Sequence, residues 1–154
     1  MARMSRIVAG SLVAMAAVLG VAAAKDSMLA TIDKPATLTA TPVSAAMLGA
    51  ADIGTGHVLV TVVAFTPPPD RKPVEAVVWI SRRGGGPAQK VGSFAITPYA
   101  PFKARDPSMA QRFQFPLPAS LAGQRTLDVS VALVPVGTGG KGASLEIGTV
   151  AFIR

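Results

Sequence analysis

Residues 127–133 read Leu-Asp-Val-Ser-Val-Ala-Leu, in which large apolar side chains alternate with polar or small ones. A period of two is typical of a β-strand that buries one face. Asp128 and Ser130 fall on the predicted solvent side. The residues predicted to face a core are Leu127, Val129, Val131 and Leu133. We therefore expect a half-buried strand over residues 127–133. The same kind of pattern can be sought in the rest of the chain.

Several other stretches have strand character. His57–Phe65 is dominated by β-branched residues and is apolar on both faces, which favours a central buried strand. In the stretch that begins at Val74, the alternation places Trp79 opposite the main apolar set. Near the C-terminus the inward phase shifts by one residue at Gly148, as a β-bulge would produce. The predicted strands are 38–41 (a possible edge strand), 57–65, 74–81, 91–97, 111–117, 127–133 and 145–153.

Turn signals separate these strands at intervals of about ten residues. Examples are the prolines at 67–69, the glycines at 84–86 and the glycine-rich segment 137–142, which predicts a hairpin tip. Residues 119–123 predict a single helical turn, and residues 44–51 suit a helical turn or a loop equally. The fold class that follows is all-β: an antiparallel β-sandwich or jelly-roll-like small barrel of about six to seven strands.

The N-terminus has the layout of a secretory signal peptide. Arg3 and Arg6 precede an uncharged apolar run, which ends in the small residues Ala22-Ala23-Ala24. We expect a signal peptide at 1–24, a lead-in segment at 25–56 and a β-sandwich domain at 57–154. Loss of 1–24 removes two of the 15 basic residues and leaves a net charge of +5. These features predict a periplasmic or secreted bacterial protein that contacts a membrane only if the apolar segment stays uncleaved.

Composition argues against several kinds of site. The chain has no cysteine and one histidine, His57, whereas imidazole or thiolate metal centres need several such ligands. Met28, Met47 and Met109 are too dispersed in sequence to suggest a copper(I) site. The basic residues are scattered, which argues against a nucleic-acid partner. We expect no catalytic, cofactor-binding or metal-binding residues, no cofactor and no enzymatic activity.

The sequence does not match other motifs of catalytic proteins. The segment 137–142 (GTGGKG) has glycine where a phosphate loop needs serine or threonine after the lysine, and a predicted strand follows it. No serine lies in a G-x-S-x-G elbow. Five acidic residues lie in or beside predicted turns and three within strands, an arrangement that favours no carboxylate pair. The turn set is Asp26, Asp33, Asp52, Asp70 and Asp106, and the strand set is Glu75, Asp128 and Glu146.

Four motifs follow one another along most of residues 28–153. They are 33–38 (DKPATL), 91–98 (VGSFAITP), 129–141 (VSVALVPVGTGGK) and 145–152 (LEIGTVAF). In this order and spacing they resemble the C-terminal domain of polyphenol oxidases and tyrosinase-like proteins of the type-3 copper class. The resemblance implies a β-sandwich that, in the family, lies over the copper centre of an oxidase domain and shields it.

The departure from the family is large, because neither an oxidase domain nor the six copper-binding histidines stand in this sequence. The resemblance therefore suggests a non-catalytic module that shields, chaperones or docks to a separate type-3 copper oxidase. The loop around 98–107 is the candidate partner surface, with Pro98, Tyr99, Pro101 and Phe102 as its residues. Aromatic residues are enriched in such surfaces, so Trp79 is a further candidate unless it is core. The alternatives are a structural or adhesive envelope protein and a carrier of a small ligand or metal.

Overall fold

The structure, a computed structural model, describes residues 28–44, 56–96 and 100–153. This part of the chain is all-β, with nine strands and two short 3₁₀ helices. The strands are β1 (Met28–Thr31), β2 (Ala36–Val43), β3 (His57–Thr66), β4 (Val74–Arg82), β5 (Gln89–Ala95), β6 (Phe102–Lys103), β7 (Gln111–Pro116), β8 (Leu127–Pro135) and β9 (Ser144–Ile153). The 3₁₀ helices are Pro107–Met109 and Ala119–Leu121.

The strands form two layers that β2 joins. Hydrogen bonds link them in the order β5-β4-β8-β2-β9-β3-β6, while β1 pairs with β9 and β7 pairs with β3. Residues 36–40 of β2 pair with β8, and residues 41–43 pair with β9. One layer therefore contains β2, β8, β4 and β5, and the other contains β1, β9, β3, β6 and β7. The ladders between the described strands are antiparallel, as predicted, except for the β2–β9 pairing, which is parallel and makes the sheet mixed.

One hydrophobic core fills the space between the layers. Its main contributors are the inward residues of two strands from each layer: Val74, Ala76, Val78 and Ile80 of β4, Leu127, Val129, Val131 and Leu133 of β8, Val58, Val60 and Val62 of β3, and Leu145, Ile147 and Phe152 of β9. The predicted alternation in β8 is confirmed. Full burial of such a side chain stabilises the fold by about 1.5–3 kcal/mol. Burial of one face per layer is the main force that holds this all-β fold together.

A double irregularity lies where β3 pairs with β9. Thr61 faces Thr149 and Val62 faces Ile147, so Gly148 has no partner in this ladder. Val63 is skipped in the same way on β3. A Cβ on Gly148 would lie 2.6 Å from Cγ1 of Val63, so the two skipped residues fit together only because one of them is glycine. The predicted β-bulge at Gly148 is confirmed.

Aromatic rings bring β7, which pairs with β3, close to β5, the strand at the far end of the hydrogen-bonding order. Phe94 of β5 stacks on Phe113 of β7 with ring centroids 3.9 Å apart and an interplanar angle of 15°. It also contacts Phe115, at 6.1 Å between centroids. β5 and β7 do not pair in the hydrogen-bonding order of the described strands, so the sheet is not a closed barrel. Of the two predicted architectures, the small barrel is therefore wrong in the sense of a closed sheet.

The predicted hairpin tip at 137–142 connects two different layers. β8 pairs with β2 and β4, whereas β9 pairs with β1, β2 and β3, so β8 and β9 are not hydrogen-bonded neighbours. The hairpin prediction is wrong because both edges of β8 already have partners. The chain must therefore cross from one layer to the other, and the glycines allow this tight passage.

Two short strands, β1 and β6, were not predicted. β1 has four residues and β6 has two, which is too short for a periodic pattern to show. The predicted helical turn at 119–123 is present as a 3₁₀ helix over Ala119–Leu121. The prediction for 44–51 falls almost wholly outside the described residues. The predicted signal peptide, 1–24, lies outside them as well, and so do residues 25–27 and 45–55 of the predicted lead-in.

Within the described ranges, no helix has the length and apolar character that crossing a bilayer would require.

Candidate functional site

The most exposed large aromatic side chain of the described residues lies on the outer face of one layer. Trp79, the only tryptophan of the chain, is 37% exposed in the middle of β4. Its neighbours Val78 and Ile80 point inward and are completely buried. The sequence placed Trp79 opposite that apolar set, and the structure confirms this phase and shows that the side chain is not part of the core cluster.

We call the outer surface of β2, β8, β4 and β5 the Trp79 face. It is made by the outward residues of these four strands: Thr37, Thr39, Glu75, Val77, Trp79, Ser81, Lys90, Ser93, Ala95, Asp128, Ser130, Ala132 and Val134. Most of these side chains are small. The indole therefore stands above a low, flat surface.

The register defines the immediate surroundings of the indole. Trp79 faces Ser130 on β8 and Lys90 on β5. In an antiparallel pair such opposite side chains lie about 4.5–5.5 Å apart at Cβ. Serine is a small residue, and the indole keeps 37% of its surface exposed. Val134, which is 41% exposed, adds a second apolar side chain on the same face of β8.

Polar side chains surround this apolar centre. The Thr39 hydroxyl donates to Oδ1 of Asp128 at 3.3 Å, and the Thr37 hydroxyl donates to Oγ of Ser130 at 3.5 Å. Glu75 is half-buried opposite Val134. A large aromatic residue at the centre and a polar rim are the usual anatomy of a protein-binding surface.

Outward-facing apolar residues are buried on both layers, and on the Trp79 face Val77 is only 6% exposed. Leu59 of β3 and Ile153 of β9 lie opposite in phase to the core residues of their strands, yet each is only 2% exposed. Leu29 of β1, at 53% exposure, is the exposed large apolar residue on this layer. Among the described strand residues, the Trp79 face thus exposes two large apolar side chains, Trp79 and Val134, and the outer face of the second layer exposes one, Leu29.

The partner surface predicted around 98–107 is only partly described. Pro98 and Tyr99 lie outside the described residues, while Pro101 is exposed. Phe102 pairs with Phe65 in β6 and is half-buried against the core cluster. Packing thus occupies much of the Phe102 ring. Pro101 and Phe102 belong to the layer that does not carry Trp79, so the structure does not bring these predicted residues together with the Trp79 face.

A carboxylate fixes one end of the sandwich. Oδ1 of Asp70 accepts a hydrogen bond from the Lys72 amide at 3.0 Å, and Oδ2 accepts one from the Gly140 amide at 2.9 Å. These amides, first Lys72 and then Gly140, lower the pKa of Asp70 below its ordinary value. Gly139 lies so close to the carboxylate that a Cβ there would collide with Oδ2. Asp70 therefore ties the β3–β4 loop to the crossing segment, which is a structural task.

The groups considered for metal binding stay apart. The described residues contain no cluster of three or more His, Cys, Asp or Glu side chains that could hold a metal ion. His57 is half-buried at the start of β3. Met28 lies in β1, Met109 lies in a 3₁₀ helix on another part of the molecule, and Met47 is outside the described residues.

Two concave regions accompany the Trp79 face. A groove of about 470 Å³ lies where β2 leaves β8 for β9, and its polar lining consists mainly of the hydroxyls of Thr37, Thr39, Thr41 and Thr149. A cleft of about 300 Å³ lies at the end of the sandwich, beside Arg82. Sequence reasoning found neither of them, because each collects residues from strands and turns that are distant along the chain.

No protein-family model matches this chain, and a search of curated proteins also finds no match.

Proposed function

We propose that this chain is an exported, non-catalytic binding module that docks to a separate type-3 copper oxidase through the Trp79 face. The exposed Trp79 on an otherwise small-residue sheet surface is the observation that carries the proposal. A tryptophan buries a large apolar area when a partner covers it, and its indole nitrogen can donate a hydrogen bond at the same time. Residues of this kind dominate binding energy in protein interfaces.

The choice of partner rests on the resemblance of four motifs to the C-terminal domain of polyphenol oxidases. In that family the domain lies over the copper centre, and a sheet surface with an apolar centre suits such packing. The role would be to shield the oxidase, to act as its chaperone or to dock to it. With one histidine in 154 residues, the chain has too few imidazoles for a type-3 copper pair of its own.

The distribution of charge supports a protein partner over a nucleic acid. The two pairs of adjacent basic residues, Arg71-Lys72 and Arg82-Arg83, flank β4 at its opposite ends. Nucleic-acid-binding proteins concentrate such charge on one face, in a stripe that follows the phosphates. The Trp79 face itself carries Glu75 and Asp128 as well as Lys90, so it has no single sign of charge.

The experiment is isothermal titration of a purified type-3 copper oxidase from the same organism with the purified chain. We expect saturable binding, and we expect Trp79→Thr to weaken it at least tenfold, which corresponds to about 1.4 kcal/mol. Threonine keeps a strand-forming residue at this position. Leu29→Thr is the matched control, because it removes an exposed apolar side chain from the other layer. Absence of binding, or equal loss in both variants, would refute the proposal and leave an envelope protein or a ligand carrier as the alternatives.

A further inference from the structure

A polar cleft of about 300 Å³ lies at the end of the sandwich opposite the Asp70 junction. The β4–β5 turn forms one wall, and the 3₁₀ helix Ala119–Leu121 forms the other. Leu121 is 2% exposed and closes the core at this end, so the cleft lies outside the core. The lining residues are Arg82, Gly85, Gly86, Pro87, Gln89, Ser120 and Leu121.

The polar groups that meet in the cleft are mainly hydrogen-bond donors. Nε2 of Gln89 donates to the Ser120 hydroxyl oxygen at 3.1 Å, so this hydroxyl can direct its own proton elsewhere. Nη2 of Arg82 donates to the Ser120 carbonyl oxygen at 3.5 Å. That contact is at the long limit of a hydrogen bond. A guanidinium has five N–H donors, so this one weak bond leaves most of the donor capacity of Arg82 available.

Charge in and around the cleft is positive. Among the described residues, those that line the cleft include no carboxylate. Arg83 follows Arg82 directly and is exposed, and Arg125 lies two residues before Leu127, the β8 partner of Arg82. The acidic residue nearest by register is Asp128, which faces Ser81 on the Trp79 face and accepts the Thr39 hydroxyl there.

The simpler interpretation is that Arg82 only caps the 3₁₀ helix through the Ser120 carbonyl. A dedicated cap would be expected near 2.9 Å, and the observed 3.5 Å is longer. Capping also gives no role to Gln89, which holds the neighbouring hydroxyl. Three donor side chains that converge on one concavity without a carboxylate are better explained by an anion.

We propose that this cleft binds an oxyanion, namely the phosphate or carboxylate group of a small molecule. The Arg82 guanidinium bonds two oxygens of the anion, since its planar fork matches both groups. The Ser120 hydroxyl donates a further hydrogen bond to an oxygen of the anion. The Gln89 side-chain amide holds that hydroxyl in place. A volume of about 300 Å³ is the lower end of small-molecule sites, so the ligand is small. The cleft is separate from the Trp79 face, and this binding does not depend on the oxidase.

The test is a two-dimensional amide NMR titration of the ¹⁵N-labelled protein with sodium phosphate and, in a second arm, with sodium acetate. Ionic strength is held constant with sodium chloride. We expect saturable shifts at Gly85, Gly86, Ser120 and the Gln89 side-chain amide in at least one arm. The arm that saturates at lower concentration identifies the preferred group. Shifts that grow linearly in both arms, or that spread over the whole surface, overturn the proposal.

Variants separate this site from general surface attraction. Arg82→Gln should weaken the saturable binding at least tenfold, and Ser120→Ala should weaken it severalfold. Arg112→Gln removes an exposed arginine near the start of β7 and should change the affinity less than twofold. Equal losses in Arg82→Gln and Arg112→Gln would contradict the assignment. Binding that persists in both Arg82→Gln and Ser120→Ala would contradict it as well.

Discussion

Replacement of Gly92 by alanine sets two physical effects against each other. Gly92 lies in β5, and its φ is outside the range that favours glycine, so the backbone accepts any L-residue. Alanine within a strand should then stabilise the protein by about 0.5–1 kcal/mol relative to glycine. A Cβ at this position, however, would lie 2.5 Å from Cδ1 and 2.9 Å from Cε1 of Phe115.

The packing cost follows from these distances. Carbon atoms prefer separations of about 3.5–4.0 Å, so the ring or the strand must move by about 1 Å. Phe115 is 6% exposed and Phe94 lies beside it, which leaves the ring little room. Overpacking of this kind costs about 1–3 kcal/mol. Subtracting the strand preference of about 0.5–1 kcal/mol from this cost, we expect Gly92→Ala to lower the free energy of unfolding by up to about 2.5 kcal/mol.

Urea unfolding followed by circular dichroism measures this change. The matched control is Gly123→Ala, where a Cβ meets no atom within 4 Å and φ is again ordinary. The control should be unchanged or more stable by up to about 1 kcal/mol. In Gly92→Ala/Phe115→Leu the two losses should not add, because a smaller side chain makes room for the methyl group. If Gly92→Ala is more stable than the wild type by the full strand preference of about 0.5–1 kcal/mol, no packing cost is present and the close approach of β5 and β7 is refuted.

Three further predictions concern the core, the loop junction and the N-terminus. Phe152→Ala should destabilise the fold by about 3–5 kcal/mol because Phe152 is completely buried. Trp79→Thr should destabilise it by less than half as much. Similar urea midpoints for the two variants would contradict the assignment of Phe152 to the core and Trp79 to the outer face. Asp70→Asn should reduce the loss of stability on acidification. Because the pKa of Asp70 is lowered in the folded state, its carboxylate stabilises the fold above pH 3.8. This contribution disappears as the pH falls through the folded-state pKa of Asp70. Thermal unfolding of both proteins between pH 7 and 3 measures it, and parallel pH profiles would argue against the amide contacts. Intact mass after secretion from a bacterial host should show cleavage after Ala24, and retention of Met1–Ala24 would contradict the signal peptide.

The strands with a clear period could be predicted from the sequence, and their partners could not. The alternation of apolar and polar residues alone predicted which residues of β8 face the core. The phase shift at Gly148 predicted the β-bulge in β9. β1 could not be predicted because four residues cannot establish a period. Its partner is an edge of β9 more than a hundred residues away along the chain. The glycines of 137–142 signalled a chain reversal correctly. They carried no information on which layer the next strand would join.

For the candidate sites too, local features could be predicted from the sequence and long-range contacts could not. Trp79 could be assigned to a face from its neighbours Val78 and Ile80. The residue that it faces on β8, Ser130, lies 51 positions later along the chain and could not be identified from the local pattern. The cleft beside Arg82 depends on a contact with Ser120, 38 residues away. No local motif encodes such a meeting, because it follows from the order in which strands pair and not from the residues around either position.

The proposed docking through Trp79 can be tested directly by ¹⁹F NMR of the protein labelled with 5-fluorotryptophan. The chain contains one tryptophan, so the folded protein gives one resonance, and an unlabelled oxidase adds none. Addition of a purified type-3 copper oxidase should move or broaden this resonance until one binding equivalent has been added. A resonance that keeps its position and width in an excess of the oxidase would contradict docking through the Trp79 face.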